Sequence, residues 1–316
     1  MTQPGTIKPD RRPRFRHASE APAFRLTEDD VNIVRQLARY RFLRSTHIAA
    51  LMGRSHDRTN DRLLNLFHAG FVDRPRAQLD FYPTSGSAPM VYALADRGAR
   101  LLIERDGIGF ANVEWSRKNR EVGRPFIEHQ LEIIDFTIAV QLASFGREDV
   151  KFISPEELVQ EFPDQRLPRV NPFKLSTQIS DKGICHEVGL IPDFTFGLRF
   201  PDGSRRCFMV EIDRDTMPIL RSDIGQTSFA RKMRSYLSAH AAKLHERQFG
   251  WKTFRVLTVT TDEFRIRSMQ QAAADMRIPH SLGAPLFLFA TREELTGVDP
   301  LAHLWRDGGG RVVALM

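Results

Sequence analysis

Two short alternating runs joined by Pro201-Asp202-Gly203 constrain this chain more than any other part of it. In residues 191–198, Phe194, Phe196 and Leu198 fall on one face of an extended strand, with Asp193 and Thr195 on the other. In the second run Phe208, Val210 and Ile212 share a face, and Glu211 and Asp213 share the opposite one. A three-residue loop with Gly203 in the left-handed conformation pairs Phe200 with Ser204. That register sets Asp193 directly opposite Glu211, whereas a two-residue loop sets Asp193 opposite Ile212 and breaks the facial pattern. The alternation favours the longer loop and so places two carboxylates side by side.

Like charges in directly opposed positions are destabilising unless something compensates. A divalent cation is one compensator, and an oxygen-only donor set without His or Cys suits Mg²⁺ or Mn²⁺. Such an ion would polarise a phosphodiester and activate a water for hydrolysis. The other reading is that the two acids lie at a strand end and simply face solvent. Spacing alone leaves both open.

With 316 residues, 41% of them hydrophobic, the chain is long enough for two domains with real cores. Residues 1–23 are rich in Pro and Arg, with Lys8, Arg11, Arg12, Arg14 and Arg16, and read as a flexible basic tail, either solvated or touching phosphates. Residues 24–107 have the element order of a winged helix-turn-helix. Thr27 caps a helix whose first turn is acidic (Glu28, Asp29, Asp30) and whose apolar face carries Val31, Val34, Leu37 and Ala38. A second helix spans 46–52 and a third 55–69, ended by Gly53 and Gly70; strands at 71–72, 79–82 and 90–94 form the wing, and a helix over 96–104 closes the domain.

On the third helix Arg54, Arg58 and Arg62 fall on one side, with Leu63, Leu64 and Phe67 roughly opposite. An arginine row facing outward suits the major groove or its flanking phosphates. Asn60 and His56 are then candidates for base edges, and Arg74 and Arg76 for the backbone from the wing. The alternative is an ordinary solvated face, partly neutralised by Asp57 and Asp61. A formal charge of +7 favours a polyanionic partner. The expected partner is double-stranded DNA, and a homodimer is the usual form for a reader of paired half-sites.

Residues 108–124 read as a basic linker, and 125–296 as a second domain. A helix over 125–143 carries the stripe Ile127, Leu131, Ile134 and Ile138; a first strand is required near 150–153, and 155–187 reads as an insertion with one short helix. A helix over 227–247, a buried strand at 254–260, a helix over 262–276 and a last strand at 285–290 follow, giving an α/β fold with a mixed sheet flanked by helices. Residues 297–316 give no pattern and are set apart as a C-terminal extension; Gly308-Gly309-Gly310 is no phosphate loop, because no Lys-Ser/Thr pair follows. Cys185 and Cys207 form neither a CxxC pair nor a zinc cluster, which fits a reducing compartment. No apolar run reaches the length of a membrane span and no signal core opens the chain, so the expectation is a cytoplasmic protein without membrane contact.

Pro192-Asp193 followed by Glu211-Ile212-Asp213, on a mixed sheet flanked by helices, resembles the core of the PD-(D/E)XK nuclease superfamily. More narrowly, the replication-relaxation family, whose members are associated with plasmids and other mobile elements, is resembled over about residues 26–290. The winged helix, Glu128-His129 on a helix, and Glu211-Ile212-Asp213-Arg214-Asp215-Thr216 followed by Lys232 and Tyr236 carry that resemblance. It implies a metal held by Asp193 and Glu211. One departure matters: the superfamily's lysine belongs two residues after the acidic strand residue, where this chain has Asp213. Lys232, one turn before Tyr236, is the substitute the resemblance offers for positioning water and stabilising transition-state charge; it is equally a surface cation beside Arg231 and Arg234. Glu128 is a further candidate carboxylate, or a member of a solvated face with Glu132 and Asp135.

Two functions follow. The first is a DNA-binding protein acting on plasmid or mobile-element DNA alongside replication or transfer proteins, with a degenerate nuclease-like domain. The alternative is an active Mg²⁺-dependent endonuclease or nickase targeted by the winged helix. The replaced lysine favours the first; the retained carboxylates favour the second. A histidine-pair relaxase is disfavoured, because no closely spaced His-x-His motif occurs.

Overall fold

Thr27 caps the first helix as its sequence demands: its hydroxyl accepts the Asp30 N–H, and the Asp30 carboxylate accepts the Thr27 N–H at 2.8 Å. The computed structural model describes residues 14–20, 23, 25–79, 88–109, 114–164, 170–181, 183–223 and 225–316. These form an α/β chain of two units, Met1–Asp135 and Phe136–Met316.

The first unit runs α1 (Glu28–Tyr40), β1 (Phe42–Arg44), α2 (Ser45–Leu51), α3 (His56–His68), β2 (Val72–Asp73), β3 (Val91–Leu94), α4 (Asp96–Asp106), α5 (Trp115–Glu121) and the start of α6 (Arg124–Ala143). The sheet order is β1-β3-β2, antiparallel throughout, with Leu43 opposite Tyr92 and Val72 opposite Leu94. Phe42, Leu43, Leu63, Leu66, Phe67 and Leu102 belong to its buried core. α4 approaches so closely that a Cβ on Gly98 would lie 2.3 Å from the Phe71 carbonyl oxygen, which explains a glycine inside a helix.

The structure adds to and changes this reading. β1 was not anticipated. Residues 76–78, before the expected strand at 79–82, form a 3-10 turn, and that strand lies from residue 80 onward outside the described residues. Residues 115–121, assigned to a linker, form α5 instead. Asp96 accepts the Ser116 N–H at 2.9 Å, and Asn119 donates to the Leu94 carbonyl at 2.8 Å and to Asp73. Polar bonds hold this helix, so it shows no apolar period. Part of the basic tail also docks: the Ala18 N–H donates to His68 Nδ1 at 3.0 Å, His17 pairs with Asp73, and the Arg14 carbonyl accepts from Arg74.

The second unit continues with β4 (Lys151–Ile153), α7 (Pro155–Gln160), β5 (Leu175–Asp181), β6 (Ile184–Leu190), β7 (Phe194–Arg199) and β8 (Arg205–Ile212). α8 (Phe229–Ala241), α9 (Leu244–Phe249), β9 (Arg255–Thr260), α10 (Glu263–Asp275), β10 (Phe287–Thr291), α11 (Arg292–Leu295), β11 (Leu304–Asp307) and β12 (Val312–Ala314) complete it. A mixed sheet has the order β12-β11-β10-β9-β8-β7-β4, in which β8, β9 and β10 are mutually parallel. One sheet face, with Met209, Val256, Phe287 and Phe289, packs with Met233, Tyr236 and Leu237 of α8 and Ile266 and Met269 of α10. β5 and β6 form a separate hairpin that lies on α8.

The required first strand is present as β4, and the buried strand at 254–260 as β9. The insertion holds its one short helix, α7, but also the unanticipated hairpin. The helix expected over 227–247 is two helices, because Lys243 sits at φ 54° and interrupts the ladder. Residues 297–316 are no appendage: they supply β11 and β12 of the main sheet, strands too short to show alternation.

Candidate functional site

The β7–β8 turn closes as a three-residue loop: Phe200 N–H donates to the Ser204 carbonyl at 2.9 Å, and Gly203 has φ 80°. Phe194 then pairs with Val210 and Phe196 with Phe208, so Asp193, one residue before β7, stands opposite Glu211. The Asp193 N–H donates to the Val210 carbonyl at 3.0 Å, and its Oδ2 accepts the Ile212 N–H at 2.8 Å. Glu211 is only 1% exposed, in the middle of the sheet, and Asp193 is half-buried.

α8 completes the cluster. Ser228 caps its N-terminus by accepting the Arg231 N–H at 3.1 Å, and Phe229, Met233 and Leu237 seat it on the sheet. Lys232 and Tyr236, at i and i+4, therefore share one side. Lys232 Nζ forms an ion pair with Glu211 Oε2, and the Tyr236 hydroxyl donates to Glu211 Oε1 at 2.5 Å. Asp193, Glu211 and Lys232, singled out from the sequence, thus meet in one place.

Burial pushes the Glu211 carboxyl up to about 7; Lys232 pulls it down and Asp193 reinforces the rise. Burial would lower the Lys232 ammonium, but Glu211 and Asp193 outweigh it and hold the group above its ordinary value. Burial and then Glu211 raise the Tyr236 phenol well above its ordinary value, so it remains a hydrogen-bond donor. The cluster holds one firm cation and one carboxyl that takes or releases a proton near neutrality.

Asp213, two residues after Glu211, is occupied by structural contacts. Nearly buried, it receives Arg265 through Nε and Nη2 and the Thr260 hydroxyl at 2.6 Å. Arg265 also reaches Asp215 and the Met217 carbonyl, at 2.5 Å for the latter, and so fixes the segment leaving β8. Sequence reasoning missed Arg265; its signal was an arginine in register with Met269 and Ala272 on the apolar side of a helix.

The donor chemistry fits a hard divalent cation. Two carboxylates face each other, and the buried hydroxyls of Thr258, register partner of Glu211, and Thr195, on the Asp193 side, have no hydrogen-bond partner among the described residues. Among the described residues no group of three His, Cys, Asp or Glu side chains is placed around one metal position. Asp193 and Glu211 are the residues that would hold such a cation. Glu128, in the first unit, pairs with Arg124 at 2.7 Å.

The arginines of α3 divide by environment. Arg54, just before the helix, is exposed and pairs with Asp29. Arg58 is exposed with no side-chain partner among the described residues. Arg62 turns inward: it makes a two-pronged pair with fully buried Asp30 and donates to the Arg25 carbonyl at 3.1 Å. His56 lies 3.1 Å from the Ser45 hydroxyl, and Asn60 3.3 Å from His56. Arg74 donates to the Arg14 carbonyl and the Tyr92 hydroxyl, both at 2.9 Å, and lies over the Phe67 ring, so it braces the unit. Arg76 is exposed on its 3-10 turn. Arg58 and Arg76 are the candidates whose cations remain available.

No helix of the described residues is long and apolar enough to cross a membrane. A family model described as replication-relaxation matches residues 34–257. No curated protein and no solved structure matches the chain.

Proposed function

Because the chain belongs to the replication-relaxation family, we propose that it is a DNA-binding protein acting on plasmid or mobile-element DNA, in its replication, transfer or regulation. The first unit, a winged helix in this reading, holds the duplex. The observation that carries it is Arg58, which α3 presents outward while Leu63, Leu66 and Phe67 anchor the opposite side of the same helix. Arg76 supplies a second available cation on a neighbouring turn. The test is a titration of duplex affinity against salt. Arg58→Ala should weaken binding several-fold and reduce the log–log salt slope by about 0.9, the value for one phosphate contact. Unchanged affinity and slope would remove α3 from the interface.

A second reading, Mg²⁺- or Mn²⁺-dependent strand cleavage, is favoured by the Lys232–Glu211 contact. The ion, when bound, polarises the phosphodiester and lowers the pKa of a water. Asp193 and Glu211 would hold it, and Tyr236 fixes the Glu211 carboxylate by its hydrogen bond. Lys232 keeps a positive charge where negative charge grows on the phosphoryl oxygens. An aspartate at 213 in place of a lysine costs this reading little, since the cation arrives from α8 instead. Supercoiled plasmid with Mn²⁺ should be nicked by the wild type and not by Asp193→Ala or Glu211→Ala, and calorimetry should show Mn²⁺ binding lost in both. A folded, DNA-binding wild type that neither nicks nor binds Mn²⁺ leaves the cluster as a structural ion pair.

A further inference from the structure

A cleft of about 180 Å³ lies among the N-terminal part of α8, residues 220–222 and the last turn of α10; Leu220, Arg221, Ser228, Arg231, Arg234 and Asp275 line it. Its arginines differ from those the fold clasps in ion pairs. Arg35, Arg62, Arg147, Arg265 and Arg306 each pair with a carboxylate. None of the three cleft guanidiniums forms an ion pair among the described residues, although Asp275 stands on the same rim, accepting from Gln271 at 3.0 Å.

Their hydrogen bonding is incomplete as well. Arg221 donates to the Thr227 carbonyl at 3.0 Å and to Gln226 at 2.8 Å, and Arg234, among the described residues, reaches only the Ser180 carbonyl at 3.2 Å. Arg231 Nε is buried with no acceptor among the described residues. A buried donor without an acceptor is costly, and a tetrahedral oxyanion presents several acceptors that match guanidinium forks. The backbone at the start of α8 does not contribute, since the Phe229 and Ala230 N–H groups already donate to the Pro218 and Ile219 carbonyls at 3.0 and 2.9 Å. The arginine side chains make the site.

We propose that this cleft seats a backbone phosphate of DNA, giving the second unit its own hold on the strand; this rests on the DNA-binding reading above. Arg231 and Arg234, three apart, share one side of α8, while Lys232 and Tyr236 turn to Glu211. A strand anchored on the first pair is held by the helix that carries the second.

The experiment uses the full chain and duplex DNA, comparing wild type, Arg58→Ala, Arg231→Gln/Arg234→Gln and Arg231→Lys/Arg234→Lys over a salt series, with inorganic phosphate alone as a second probe by thermal shift. The double glutamine variant should melt with the wild type, bind DNA at least fivefold more weakly and lose about 0.9 from the salt slope, while the lysine pair keeps the slope. Wild-type slope and affinity in the glutamine variant, with Arg58→Ala impaired, overturn the cleft and leave DNA binding standing. A glutamine variant that loses phosphate stabilisation but binds DNA as the wild type does makes the cleft a small-anion site and overturns its assignment to DNA. Absence of wild-type binding overturns both proposals.

Discussion

At Glu211 the carboxyl rises from an ordinary 4.5 to about 7, because the folded chain buries it and stands Asp193 opposite. The sign of the resulting stability change is fixed. Between those values the native state holds a proton that the unfolded state releases, so the contribution is fully present below 4.5 and is lost as pH rises through about 7. Its size is on the order of 3 kcal/mol. Lys232, held above its ordinary value, stays charged throughout that window, so within the cluster the falling contribution comes from Glu211. Glu211→Gln should therefore remove that contribution from the profile. Urea midpoints measured from pH 4.5 to 8 should show the wild type losing stability relative to the variant as pH rises. Parallel curves would show that Glu211 ionises at its ordinary value despite its burial.

At the scale of elements, the Arg62–Asp30 clasp ties α3 to the capping box of α1. Arg62→Ala leaves a fully buried carboxylate without its counter-ion and should cost about 3–5 kcal/mol. Arg58→Ala, on the exposed side of the same helix, should stay within about 0.5 kcal/mol of wild type. Chemical denaturation separates the two, and equal stabilities would mean that the clasp is not formed in solution. Periodicity places both arginines on one side of a helix but does not say which meets an acid from another element. The same limit governs the rest of the fold. The β7–β8 register was legible because two alternating strands and Gly203 leave one consistent pairing, and Asp193 and Glu211 came with it. β1, β11 and β12, each of three or four residues, are too short to alternate visibly. α5 is held by polar bonds, and the break at Lys243 has no glycine or proline to announce it. Arg265 was invisible because its partners, Asp213 and Asp215, lie on another element about fifty positions away.

For the whole molecule, the formal charge of +7 bears on how strongly a polyanion is attracted, and its distribution on where the anion is held. Docked residues 14–18 already contact His68, Asp73 and Arg74, so the basic leader divides into a part with structural contacts and the residues before it. Deleting residues 1–13 removes Lys8, Arg11, Arg12 and Asp10 and leaves every one of those contacts in place. The shortened chain should melt with the full one. If the three cations touch phosphates, its salt slope on duplex DNA should be shallower by about 0.9 for each contact removed, and its affinity at low salt correspondingly weaker. If they act only through net charge, the association rate at low salt should fall while the slope of the equilibrium constant stays nearly unchanged. Equilibrium titration and stopped-flow association on the same two proteins distinguish these cases. An unchanged slope would confine phosphate contacts to the remainder of the chain, where Arg58, Arg76 and the α8 arginines are the candidates.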